Sequence, residues 1–262
     1  MKNLLMCRPD HFEVIYDINH WMHNQAGHVD VAKANGQWYN LFDAVSRHCV
    51  IHLIDGVKNL PDLVFTANAG FVQGNNVILS KFATRERQPE EQIFREWFER
   101  KEFSVYQPTA NYEGEGDHLV DNKGRHWMGH GFRTSLTAAA EIQTILKTII
   151  NPLELIDPRW YHLDTCFCPL PNHDAVFWYP GAFGQASQSK IRASFSNSIE
   201  ISLSDALLFS CNCICIGNNL FMPTGSTVAN KLQTLGYCVT EVELSEFLKA
   251  GGAAKCLVLH TN

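Results

Sequence analysis

The chain has 262 residues, 45% apolar and 18% charged, which is enough to bury a substantial core and too apolar for a disordered segment. Its net charge of -6, with Lys and Arg scattered, argues against nucleic-acid binding and suits a small cationic ligand. An odd count of nine cysteines, a start too weakly apolar for a signal peptide and no run near the roughly 20 residues that span a bilayer point to reduced thiols, a cytoplasmic location and no membrane role.

Residues 2–7 read as an apolar strand closed by Arg8-Pro9. The spacing predicts an amphipathic helix over 39–48 and a strand over 49–55. Two β-rich runs, 63–71 and 77–82, flank Gly74-Asn75-Asn76 as a hairpin. A helix opened by Pro89-Glu90-Glu91 runs to Lys101, and 103–106 is strand-like. A second hairpin joins 117–120 to 126–129, and 135–150 is predicted as a helix with Ala138, Ile142, Leu146 and Ile149 on one face. After a strand at 153–156, a third hairpin joins 161–170 to 175–179. Residues 181–196 give poor signals and leave a lid open as a reading, while 198–202 reads as extended. A fourth hairpin joins 207–216 to 220–222, followed by a helix over 227–235, a strand over 237–244 and a short helix over 245–249.

Hairpin, helix and strand thus recur at a period of roughly 50 residues, a repeat signature. The strand after Cys256 and the N-terminal strand would make a fifth repeat whose halves lie at opposite ends of the chain, closing a ring. The expectation is a single α/β domain over 1–262, propeller-like, with β-rich modules around a central channel and helices outside.

Three segments carry chemistry. Gly251-Gly252-Ala253-Ala254-Lys255-Cys256 reads as a mobile small-residue loop bringing a cysteine to the start of an apolar strand, with Lys255 placed to favour thiolate. Taken alone, a buried cysteine at such a place is more often a core residue. His162 and Asp164, one residue apart in a predicted strand, would share a face, either as base and substrate anchor or as a hydrogen-bonded core pair. Glu113-Gly114-Glu115-Gly116-Asp117 crowds three carboxylates on a permissive backbone and calls for a cation. A hard metal ion is one candidate, without the spacing of an EF-hand loop, and a guanidinium gripped by paired hydrogen bonds is the other. Cys211, Cys213 and Cys215 alternate along a predicted strand and lack the spacing of a zinc site, so no metal or cofactor is expected.

Phe65-Thr66-Ala67-Asn68, Glu113-Gly114-Glu115-Gly116-Asp117, Gly129-His130-Gly131-Phe132-Arg133-Thr134, His162-Leu163-Asp164-Thr165 and Gly251-Gly252 before Cys256, in that order, resemble the guanidine-modifying, or pentein, superfamily. Its members include arginine deiminases, dimethylarginine dimethylaminohydrolases and amidinotransferases. The resemblance spans nearly the whole chain and implies a fivefold pseudo-symmetric α/β propeller of ββαβ modules around a central channel. Met6-Cys7-Arg8-Pro9, Asn19-His20-Trp21-Met22 and residues 60–70 are most similar to the arginine dihydrolases, which take arginine to ornithine, carbon dioxide and ammonia.

The resemblance implies Cys256 as nucleophile, His162 as general acid and base, and Glu113 and Asp164 as guanidinium anchors. Glu113 is preferred to Glu115 because the family's carboxylate opens the Glu-Gly motif. Arg85 and Arg133 stand where the family holds the substrate carboxylate, with Asn19, Asn68 and Phe65 as further substrate contacts. Arginine deiminases carry Asp at the place of Asn68. An amide donates as well as accepts, so it could hold the carbonyl oxygen of a ureido group for a second attack. The alternative is a deiminase or dimethylarginine hydrolase that stops at a citrulline-type product. An amidinotransferase and a non-catalytic binding protein of the same fold rank below it.

Overall fold

The computed structural model describes residues 2–262. Among them, fifteen strands form five three-stranded sheets. The second module shows the common plan. Gly70–Gln73 and Asn76–Leu79 pair as a hairpin, helix Glu90–Arg100 crosses over, and Ser104–Tyr106 returns parallel to the second strand. A parallel return needs such a crossover, because a tight turn can join only antiparallel neighbours.

The same order recurs in the third module (His118–Val120, His126–His130, helix Ala138–Leu146, Ile150–Glu154) and the fourth (Phe167–Pro169, Ala175–Trp178, helix Gln185–Ser194, Asn197–Glu200). The fifth follows with Ile214–Ile216, Asn219–Pro223, helix Val228–Thr234 and Cys238–Val242. The first is split: C-terminal Leu259–His260 pairs antiparallel with Asn3–Cys7, which pairs in parallel with Val50–Ile54 across helix Val31–Ser46. The ring therefore closes through the two ends of the chain, as the repeat implies.

Helix Val31–Ser46 begins eight residues before the predicted start, because Asp30 caps it by accepting from the Lys33 N–H. Its buried face is Ala34, Gln37, Trp38, Leu41 and Val45. Burying each large apolar side chain there stabilises by about 1.5–3 kcal/mol. The predicted 135–150 helix is shorter and ends at Lys147 in a left-handed conformation. Residues 181–196, open as a lid, contain the fourth crossover helix, with Ser187 and Ile191 buried against the module.

Three predicted strands, 63–71, 161–170 and 207–216, start too early for a shared reason. Each inner strand is preceded by a turn on the pseudo-fivefold axis, where five segments converge and no ladder can continue. Asn68 Nδ2 donates to the Glu113 carbonyl (3.2 Å), Leu163 N–H to Asp117 Oδ1 (3.0 Å) and Asn212 Nδ2 to the Asp164 carbonyl (3.2 Å). Lys255 N–H donates to the Asn212 carbonyl (3.2 Å) and Thr66 Oγ1 to the Leu257 carbonyl (3.0 Å), which completes a ring of hydrogen bonds through all five modules. Gly114 is required in it: its φ is +58°, and a Cβ would lie 2.6 Å from the Gly70 carbonyl oxygen and 2.8 Å from that of Ala67.

The ring divides the axial channel. Residues before the turns line a narrow pocket on one side, and the inner strands after them line a cavity of about 250 Å³ on the other. Trp38, Trp127, Trp160 and Trp178 are fully buried between sheets and helices, so they act as core. Among the described residues, no helix is long and apolar enough to cross a membrane.

Candidate active site

The narrow pocket is lined by Asn19, Asp62, Phe65, Asn68, Arg87, Arg133, Tyr161, His162, Gly251, Gly252 and Cys256, among others. Cys256 sits in a 3-10 turn, Lys255–Leu257, fed by a tightly packed glycine pair. A Cβ on Gly252 would lie 2.3 Å from the Phe65 ring, and one on Gly251 would lie 2.9 Å from Asn19 Oδ1 and Tyr161 Oη. The expected mobile loop is therefore buried packing, in which small residues let neighbouring rings approach. Asn19 fastens it by donating to the Ala250 carbonyl (3.0 Å) while its Oδ1 caps His20–Met22.

The Cys256 sulfur donates to Asp164 Oδ2 at 3.5 Å and accepts from Asn212 Nδ2 at 3.1 Å. Burial and the neighbouring Asp164 carboxylate push the thiol well up, against the Ala253 backbone N–H, Asn212 and Lys255. The expectation that Lys255 serves the thiolate is only partly met, because its ammonium is spent on Glu115 (2.9 Å) and the Val258 carbonyl (3.2 Å). Burial pushes Asp164 up to about 7, and its Oδ1 has no hydrogen-bond partner, so it is an acceptor open to a cationic donor.

His162 Nε2 lies 2.7 Å from Glu113 Oε2. A carboxylate only accepts, so Nε2 carries the proton and Nδ1 keeps its lone pair. Burial lowers His162 to about 4 and keeps the ring neutral. Burial also opposes ionisation of Glu113, but Arg133 and His162 outweigh it and hold the carboxyl at about 2. His162 and Asp164 do not share a strand face as expected. Leu163–Thr165 is a 3-10 turn, which sends His162 to the pocket and Asp164 across the ring, where it also lines the larger cavity.

Of the other expected residues, Arg133 lines the pocket but is engaged: it donates to Glu113 Oε2 (3.3 Å) and the Ile18 carbonyl (2.8 Å) and lies over the Tyr161 ring. Asn68 Oδ1 accepts from Arg87 (2.8 Å). Gly116 makes room for the Asn68 amide, since a Cβ there would meet Nδ2 at 2.2 Å. Arg85 is corrected. It is exposed and outside the pocket, whereas Arg87, two residues on, is buried, lines it and is fixed by Glu90 (2.8 Å).

Sequence reasoning passed over Asp62, Arg87, Tyr161 and Asn212. Asp62 is buried, with Oδ2 accepting from Tyr16 and Oδ1 unpartnered. Its only signal was a carboxylate inside the apolar run Leu60-Pro61-Asp62-Leu63-Val64. Asn212 was hidden among alternating cysteines. Those cysteines line the larger cavity, and among the described residues no group of three or more His, Cys, Asp or Glu is arranged to hold a metal ion.

No family model matches the chain. It is 44% identical over 97% of its length to the bifunctional arginine dihydrolase/ornithine cyclodeaminase AgrE of Nostoc, and 43% over 98% to ArgZ of Synechocystis. It spans 37% of the length of each. It is 37% identical to the dimethylarginine dimethylaminohydrolase of Mycobacterium tuberculosis, covering 98% of this chain and 85% of that one. The solved N-terminal domain of ArgZ, an arginine dihydrolase bound to its substrate, superposes with a TM-score of 0.98 at 41% identity over 100% of this chain and 98% of that one. The chain belongs to the guanidine-modifying, or pentein, superfamily, with arginine dihydrolases and dimethylarginine dimethylaminohydrolases among its relatives.

Proposed function

We propose that the chain is an arginine dihydrolase domain that converts L-arginine and two waters to ornithine, carbon dioxide and two ammonia. The observation that carries the reading is the pocket in which Asn68, an amide where deiminases hold a carboxylate, stands with Cys256 and His162. The 44% identity to AgrE supports it.

In this reading residues 1–262 form one catalytic domain, and Asp164 and Glu113 orient the planar cation. The resting thiol is protonated, and a guanidinium placed beside Asp164 sets a positive charge next to the sulfur, so substrate binding itself promotes thiolate. His162 takes the proton at Nδ1 and returns it to the departing ammonia as the sulfur bonds to the guanidinium carbon. His162 then draws a proton from water, whose attack breaks the C–S bond and leaves a ureido group. Asn68 Nδ2, with one hydrogen on the Glu113 carbonyl, offers its second to the ureido oxygen. Held there, the ureido carbon bonds to the thiolate again as His162 protonates the second departing ammonia, and water then breaks the C–S bond to leave a carbamate that loses carbon dioxide and frees ornithine. The nine free cysteines accord with a cytoplasmic setting.

The test is a time course with L-arginine that resolves citrulline, ornithine and ammonia, alongside Cys256→Ala. Ornithine with two ammonia per arginine, abolished in the variant, is the expected result. In Asn68→Asp the product should shift toward citrulline, and unchanged ornithine release would remove Asn68 from the account. A second reading, hydrolysis of dimethylarginine, is favoured by the 37% identity over most of the mycobacterial enzyme, and dimethylamine release would establish it.

A further inference from the structure

Four of the five axial turns supply residues already assigned to the chemistry: Asn68, Glu113, the His162–Asp164 pair and Cys256. The fifth turn, ahead of Ile214–Ile216, presents Asn212, which is completely buried. Its Nδ2 donates to Cys256 Sγ (3.1 Å) and to the Asp164 carbonyl (3.2 Å), and its Oδ1 accepts from the Cys256 N–H (3.1 Å). Both amide hydrogens and the carbonyl are thereby engaged. The orientation is unique, because a flipped amide would set Oδ1 against the Asp164 carbonyl and Nδ2 against the Cys256 N–H. The Asn212 carbonyl in turn accepts from the Lys255 N–H, so one residue holds the nucleophile turn at three points.

We infer that Asn212 is a positioning residue for the nucleophile, fixing the Cys256 turn and donating a hydrogen bond to the sulfur as charge develops on it. The inference rests on Cys256 being the nucleophile. The titratable groups around that sulfur are Asp164, Lys255, Tyr161 and His162. Asp164 opposes a thiolate, Lys255 is held by Glu115, and Tyr161 donates to the Gly251 carbonyl. His162 is neutral and donates its one N–H, at Nε2, to Glu113. Beside the Ala253 backbone N–H of its own loop, the Asn212 amide is thus the side-chain donor aimed at the sulfur at rest, and it carries no charge that a guanidinium substrate would have to displace. Both amide hydrogens and the amide oxygen of Asn212 are spent on Cys256 and the Asp164 carbonyl, leaving none for substrate, so its effect should fall on reactivity and not on binding.

The experiment uses the full chain with Asn212→Asp, nearly isosteric but acceptor-only toward the sulfur, and Asn212→Ser, which withdraws the donor. Iodoacetamide alkylation of Cys256 is followed against pH by peptide mass spectrometry, with kcat and KM measured on the substrate that the wild type turns over. In Asn212→Asp the alkylation midpoint should rise by about one pH unit or more, equivalent to about tenfold less thiolate. Its kcat should fall at least as far while KM changes less than about twofold, the pattern of an interaction made with the reacting group and not with bound substrate. Asn212→Ser should shift both in the same direction by less. Circular dichroism confirms folding, and if the Asp variant does not fold, the Ser variant decides alone. A folded variant with a wild-type alkylation profile, or a raised KM at unchanged kcat, overturns the inference. Alkylation needs no substrate, so if arginine and its methylated forms are not turned over, the hydrolase reading fails while the Asn212 result still stands or falls by the profile.

Discussion

Glu113 and Glu115 lie two residues apart in one glycine-rich turn, both buried and both held at about 2, yet they belong to opposite sides of the axial ring. Glu113 lies behind the pocket wall, where it meets the pocket residues Arg133 and His162. Glu115 faces the cavity and meets Lys255 and His260, tying the third module to the C-terminal strand. The same residue type with the same ionisation therefore does two jobs. One carboxylate orients the His162 ring and the other ties Lys255 and His260 to the third module. Local composition cannot separate them, because the difference lies in which neighbouring turn each side chain reaches.

The largest expected effect is in catalysis. Glu113→Gln should lower kcat by roughly 10²–10⁴, the usual worth of a positioned acid–base group, because the His162 tautomer is no longer enforced. Glu115→Gln should cost kcat much less, so equal losses in steady-state assays would erase the division between the two faces. Its main effect should be on stability: Lys255 is left buried without its partner, at about 3–5 kcal/mol in urea unfolding. The pH dependence sharpens this. Pairing holds Glu115 below the ordinary carboxylate value of 4.5, so its stabilisation is complete above 4.5 and is lost as pH falls toward 2. Across that window the wild type should lose about 3 kcal/mol more than Glu115→Gln, read from unfolding curves at stepped pH. The smallest effect should come from Arg85→Ala, which as an exposed change should stay within about 0.5 kcal/mol and leave KM unaltered. A several-fold rise in KM would return Arg85 to the site.

The hairpins around Asn122-Lys123-Gly124 and Gly217-Asn218-Asn219 were legible because turn chemistry and β-rich flanks are local. The segments leading into the inner strands were not. Residues 63–69 and 161–165 have the apolar content of strands, but the N–H groups of Leu63, Phe65, Asn68 and Thr165 close local turns onto carbonyls three residues back, and the segments reach other modules through the Thr66 hydroxyl and the Leu163 N–H. Arg87 was passed over for Arg85 because both stand in the same polar loop, and only packing buries one of them against Glu90 and Asn68. Asp62 and Asn212 were silent because a single polar residue in an apolar run acquires its meaning from partners that are distant in the chain.

By itself the sequence determined the period of the modules and the split first module, since hydrophobic patterning and turn residues act over a few neighbours, while the grouping of Cys256, His162, Glu113 and Asp164 was implied by the resemblance of their motifs to the guanidine-modifying superfamily. The tertiary structure decided which side of the ring each carboxylate faces, which arginine is buried and which amide holds the sulfur. Apart from the local Arg87–Glu90 pair, those are contacts between segments separated by 19 to 145 residues, and they exist only once the turns have met on one axis.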